Sequence, residues 1–222
     1  MKMKTSQSTK RSLLACALLC ICAAFGTSAS AQTEEWVARY NGPANSDDVA
    51  RDVEVDASGN VYVTGYSYGV GSALDYATVK YDSAGNEQWV ARYNGPANNN
   101  DYAFALAVDA SGNVYVTGKS VGSGTNDDYA TVKYDSAGNE QWVARYNGPA
   151  NSSDEAYALG VDGSGNVNVT GSSVGSGTGY DYATVKYDSA GNEQWVARYN
   201  GPANSWDGGL ALAVDASGNV YV

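Results

Sequence analysis

The chain has 222 residues, 13 basic against 24 acidic side chains, no histidine, and a formal net charge of −11. The missing imidazole removes the commonest general base and the commonest metal ligand, and the acidic balance argues against nucleic acids and anionic membrane surfaces as partners. All three cysteines, Cys16, Cys20 and Cys22, fall within the first 31 residues, so the remainder has neither disulfides nor thiolate chemistry to offer.

The chain opens with a basic start (Lys2, Lys4, Lys10, Arg11), followed by an apolar run of 13 residues from Leu13 to Phe25 and the small residues Ala29-Ser30-Ala31. That order reads as a secretory signal peptide over residues 1–31, and the apolar run is too short for a bilayer span. None of the cysteines sits where lipidation would need it: Cys20 follows Leu19, Cys22 follows Ile21, and Cys16 comes too early. Residues 32–222 then keep nine basic and 24 acidic side chains, a net charge of −15. They are expected in the periplasm, at the cell surface or outside the cell, with no membrane span after cleavage.

From Glu34 onward the sequence repeats. The string DYATVKYDSAGNEQWVARYNGPAN occurs at 75–98, 128–151 and 181–204, each copy 53 residues after the last, and a partial copy, EEWVARYNGPAN, begins at Glu34. A fixed period in this range signals an array of equivalent supersecondary units. One unit reads as four short strands: a (Ala103–Val108), b (Val114–Thr117), c (Tyr129–Tyr134) and d (Gln141–Tyr146). Each has the period of two typical of strands, and none reaches the length of a helix. A glycine-rich stretch, 118–126, is expected as the loop between b and c.

The a–b and c–d turns share the layout D-x-x-G-N, seven times over, beginning at Asp56, Asp82, Asp109, Asp135, Asp162, Asp188 and Asp215. Asp opens a type I turn, where its carboxylate accepts backbone N–H groups ahead of it. Gly59, Gly85, Gly112 and Gly138 supply the left-handed residue that follows. The layout also resembles a calcium loop, but it has too few oxygens and lacks the bidentate Glu, so no cofactor is expected there.

Both faces of these strands carry apolar groups. Four short antiparallel strands with two buried faces, repeated at this spacing, make a propeller blade. The expected fold is all-β: a β-propeller with three complete blades, a leading strand d and a trailing a–b pair. It would form an open arc, an imperfect four-bladed ring, or part of a propeller with six to eight blades. Trp36, Trp89, Trp142 and Trp195 on strand d are expected in the wedge between blades.

The signature DASGNVYVTG at 56–65 and 109–118, altered to DGSGNVNVTG at 162–171 and ending as DASGNVYV at 215–222, resembles the bacterial β-propeller repeat known as SBBP. It is similar in style to NHL-type repeats. The resemblance covers essentially all of residues 32–222. It implies the propeller fold and names no catalytic residues.

Within identical units, the b–c loops and d–a connections vary, and in an antiparallel meander both lie on one rim. Asp48, Asp101, Asp154 and Asp207 recur there, each three residues after an Asn (Asn45, Asn98, Asn151, Asn204), and Asp75, Asp128 and Asp181 recur at the start of strand c. These seven are the candidate contact rim. Residues of this type at loop ends normally cap backbone amides; the other reading is a ring of carboxylates holding cations such as calcium. No nucleophile–base pair is visible. The expected role is an exported, noncatalytic binding or scaffold module, with a protein or carbohydrate as partner. The alternatives are a carboxylate- or metal-dependent enzyme, and a structural spacer within a larger adhesin-like protein.

Overall fold

A computed structural model describes residues 34–222, so the expected leader at 1–31 lies outside the described residues. No helix occurs among the described residues, hence none long and apolar enough to cross a membrane. The first blade contains β1 (Asp48–Val55), β2 (Val61–Tyr68), β3 (Leu74–Tyr81) and β4 (Glu87–Tyr93). The second contains β5 (Asp101–Val108), β6 (Val114–Val121), β7 (Asp127–Tyr134) and β8 (Glu140–Tyr146). The third contains β9 (Asp154–Val161), β10 (Val167–Val174), β11 (Tyr180–Tyr187) and β12 (Glu193–Tyr199). Each is a four-stranded antiparallel meander in chain order, and a short hairpin of β13 (Ala213–Val214) and β14 (Val220–Tyr221) begins a fourth unit. The sheets stack in succession without closing into a ring.

The hairpins follow from the D-x-x-G-N layout. At Asp56 the backbone carbonyl accepts the Gly59 N–H at 3.0 Å, the backbone N–H donates to the Asn60 carbonyl, and Oδ1 accepts the N–H groups of Ser58 and Asn60 at 2.9 Å. Gly59 takes φ +80°, where a side chain would be strained. All seven copies close through the same two backbone hydrogen bonds.

The b–c loop is shorter than expected. Strand β6 runs on to Val121 and β7 starts at Asp127, so only 122–126 is loop. Gly118 belongs to the ladder, opposite Ala103 and Ala130. The leading segment, expected as a strand d, contains no strand; it lies on the first blade, where Tyr40 Oη accepts an Arg92 Nη1–H at 3.1 Å and Trp36 packs against Tyr81.

The core consists of the junctions between blades. Tyr62, Tyr76, Ala91 and Tyr93 of the first blade pack against Leu106, Val116 and Val132 of the second. One period later, Tyr115, Tyr129, Ala144 and Tyr146 pack against Val169 and Val185 of the third. Each junction thus joins a tyrosine face to a valine face.

Candidate functional site

Strand a of each blade lies beside strand a of the next, so β1, β5 and β9 are the innermost strands. Each contains a β-bulge at the same repeat position: the ladder skips Arg51 in β1, Phe104 in β5 and Tyr157 in β9. The bulge depends on the glycine of the V-T-G signature across the ladder. A Cβ on Gly65, Gly118 or Gly171 would lie within 2 Å of the carbonyl oxygen of Val49 (1.8 Å), Tyr102 (1.9 Å) or Glu155 (1.9 Å). Without side chains there, strand a moves in close and its extra residue is re-aimed out of the ladder.

Two of the re-aimed residues, Phe104 and Tyr157, join the ladder residues Tyr66 and Tyr102 in a continuous track over three blades. Tyr66 meets Tyr102 edge-on at 4.8 Å, Tyr102 stacks with Phe104 at 6.4 Å, and Phe104 packs with Tyr157 at 5.9 Å. All four rings are half-buried, and Arg51 at one end is exposed. Arg51 donates to the Tyr66 hydroxyl at 2.8 Å and lies over its ring. At the other end Tyr157 donates to Glu155 Oε2 at 2.8 Å. Lys119 bridges Glu155 (2.8 Å) and Asp127 (3.0 Å) while covering the Tyr102 ring. Amphipathic rings and charged groups of both signs thus share one surface.

These positions are where the repeats diverge. The bulge carries Arg51, Phe104, Tyr157 and Leu210 in turn, and the facing position on strand b carries Tyr66, Lys119 and Ser172. The flanking 24-residue string does not change at all. Local patterning misses the bulge residues because a bulge breaks the period of two. Aligning the repeats on their 53-residue period finds them.

Of the seven aspartates expected on the rim, Asp75, Asp101, Asp128, Asp154 and Asp181 are buried and turned inward, and Asp48 and Asp207 are half-buried. Asp48, Asp101, Asp154 and Asp207 accept the backbone N–H of Gly42, Gly95, Gly148 and Gly201. Asp75, Asp128 and Asp181 each pair with an arginine of strand d (Arg92, Arg145, Arg198) at 3.0 Å. The same arginine reaches a serine on strand b and the tyrosine hydroxyl of the preceding repeat: Arg145 binds the Ser120 hydroxyl at 2.7 Å and Tyr93 at 2.9 Å. Charges this deep persist only when paired in this way. The rim itself is left to other side chains. Burial pushes the carboxyl groups of Asp101 and Asp154 up, against the opposing hydrogen bonds from Gly95 and Ser120 and from Ser173 and Gly148. Among the described residues, no group of three or more acidic side chains gathers into a metal site.

Trp89 and Trp142 lie between blades, each capped by the turn of the next. Trp36 lies over Gly85 in the same manner, whereas Trp195 is exposed.

A family model described as SBBP, beta-propeller repeat, matches residues 35–71 and 88–128. The comparison with curated proteins gives no match. One solved structure similar to the chain is a fucose lectin from Kordia zhangzhouensis in complex with methyl-fucoside. The identity is 18%, the likeness covers 66% of this chain and 96% of that one, and the TM-score is 0.37. At that score the likeness says nothing about the ligand of this chain.

Proposed function

We propose that this SBBP-type β-propeller repeat protein is an exported, noncatalytic binding module that takes a carbohydrate along the track from Arg51 to Tyr157. One observation carries the reading: Tyr66, Tyr102, Phe104 and Tyr157 form one half-exposed aromatic surface at positions where the repeats differ from one another. Aromatic faces accept the apolar C–H face of a sugar ring. Arg51, Lys119 and Glu155 offer donors and acceptors for its hydroxyl groups, the combination expected of a small-molecule site. The noncatalytic part is supported by the interior carboxylates, which are held by arginines, Ser72 and Thr125 hydroxyl groups and backbone amides. Export is supported by the basic, apolar and small-residue succession of residues 1–31.

The test is binding of labelled protein to a glycan array, repeated with Phe104→Ala and Tyr157→Ala, and with Gln141→Ala as an exposed control on the outer strand. The reading expects glycan binding that falls about tenfold or more in each aromatic truncation and persists in the control. A blank glycan array with binding to proline-rich peptides, which also favour aromatic grooves, would move the ligand to protein. Binding indifferent to both truncations would remove the track.

A further inference from the structure

The aromatic track changes its charge along its length. Arg51 of the first blade lies over the Tyr66 ring at 5.2 Å, and Lys119 of the second lies over Tyr102 at 5.4 Å. Each of these rings already holds a cation of the protein's own. The third blade departs from the pattern. One repeat on, Glu155 stands where the second blade has Tyr102, and Ser172 stands where it has Lys119. An acid and a hydroxyl replace a ring and its cation. Among the described residues, no lysine or arginine lies over Phe104 or Tyr157.

Lys119 shows what this surface does with an ammonium group. Its Nζ is held by Glu155 Oε1 at 2.8 Å and Asp127 Oδ2 at 3.0 Å, against the Tyr102 ring. Two carboxylates against one ammonium leave this cluster acidic, and it lies between the second and third blades, each a complete four-stranded sheet. Glu155 Oε2 accepts the Tyr157 hydroxyl at 2.8 Å, which brings the carboxylate to the edge of the uncovered rings. The three charged side chains are only 20–24% exposed, so salt screens them less than it would on an open surface. The net charge of −11 adds a field that draws cations and repels anions.

We propose that the glycan taken by the track carries free amino groups, the ammonium group of an amino sugar seating on Phe104 and Tyr157 beside Glu155. The inference rests on the carbohydrate reading of the track and narrows it. A sugar ammonium in that seat repeats the arrangement of Lys119, with an aromatic face on one side and a carboxylate on the other. An acetylated amine lacks the charge that both partners recognise. An acidic sugar would set its own carboxylate against Glu155 and Asp127. Glu155 is therefore the specificity-determining residue, and Phe104 and Tyr157 supply the seat.

Titration calorimetry of the purified protein with three oligosaccharides of equal length and linkage tests this. They are a glucosamine oligomer with free amines, its fully N-acetylated counterpart and the corresponding glucose oligomer, in mildly acidic, low-salt buffer where the amines carry protons. The free-amine oligomer is expected to bind about tenfold or more tighter than the other two, and added salt should narrow the gap. Glu155→Gln keeps the side chain's shape and an acceptor for Lys119. It is expected to bring the free-amine oligomer down to the affinity of the acetylated one and to leave the latter unchanged. Asp127→Asn, on β7, spares the hydrogen bond from Tyr157 to Glu155 and is expected to narrow the gap as well. Circular dichroism verifies that both variants fold. Equal affinity of the unaltered protein for the free-amine and acetylated oligomers overturns the proposal and leaves the carbohydrate reading in place. A free-amine preference that survives in both variants overturns it too. Binding to none of the three also overturns it, and the glycan array then decides whether the carbohydrate reading falls with it.

Discussion

The indole of Trp89 lies across Gly138 of the following blade and donates its Nε1–H to the carbonyl oxygen of Ser136 at 3.2 Å. Trp142 does the same with Gly191 and Ser189, at 3.1 Å. A Cβ on Gly138 would lie 2.7 Å from Trp89 Cδ2, and its φ is +84°. The glycine therefore serves both the turn conformation and the flat seat for the next ring. Tandem blades lock through this pair.

Three copies of one tryptophan in one sequence context give an internal comparison. Trp89→Ala and Trp142→Ala should each cost about 3 kcal/mol, the scale of deleting a large packed side chain. Trp195→Ala should cost less than about 1 kcal/mol, because Trp195 is exposed. Urea unfolding of the three variants measures this, and equal losses would show that the junction contact contributes nothing.

The bulge opposite Gly118 makes a second comparison. A Cβ at Gly118 would collide with the Tyr102 carbonyl oxygen, whereas one at Gly124, in the b–c loop at φ +86°, would meet nothing within 4 Å. Gly118→Ala should cost about 1–3 kcal/mol through backbone displacement and should also weaken binding at the aromatic track, since it moves Phe104. Gly124→Ala should cost about 1 kcal/mol from left-handed strain alone and leave binding intact. Thermal melts with parallel binding measurements separate the two. Binding that survives in Gly118→Ala would uncouple the bulge from the site.

The repeat, the hairpins and the blade were legible because each is local. Asp56 to Asn60 contains every group that closes its own turn, and the 53-residue period is visible without structure. What was not legible depends on partners far along the chain. Asp128 looks like an exposed loop carboxylate until Arg145, 17 residues on and itself held by Ser120 of the neighbouring strand, draws it inside. Gly118 looks like the start of a loop because its role is to admit a bulge in the facing strand. The track from Tyr66 to Tyr157 crosses three blades. It exists only after stacking.

Acid should unfold the protein through its turns. In Asp82, Asp135, Asp188 and Asp215 the side-chain amide of the following Asn, with backbone N–H groups, holds the carboxyl below its ordinary pKa. Such a group binds its proton less readily when folded, so its stabilisation is present above the ordinary carboxylate range and lost as pH falls through the folded value. Asp101 and Asp154 work in the opposite sense: burial raises them, the folded state takes up the proton first, and an unfavourable contribution at neutral pH is relieved on acidification. Asp101→Asn should therefore melt higher than the unaltered protein near pH 7, with the gap narrowing toward about pH 4, while Asp135→Ala should melt lower near pH 7 and converge below about pH 4. Melting temperature against pH checks both signs. A gap for Asp101→Asn that widens in acid would contradict the assignment.

Asn168 occupies in the third blade the place of Tyr62, Tyr115 and Tyr221. Those tyrosines each donate to the aspartate of their own turn at 3.1 Å. Asn168 is fully buried and neither of its amide atoms has a partner, while its turn aspartate, Asp162, pairs with Lys186 at 3.5 Å instead. A buried amide without hydrogen bonds costs on the order of 1–3 kcal/mol. Opposite it on β9, Gly160 replaces the alanine of the second blade and leaves the neighbouring face to Leu212 and Val214. Asn168→Tyr restores the donor to Asp162 and removes the unpaired amide, so it should stabilise the protein by about 1 kcal/mol or more. Urea denaturation of the variant and the unaltered protein, followed by circular dichroism, reads the change. A loss of stability would mean that the 213–222 hairpin packs too closely over position 168 to admit a ring.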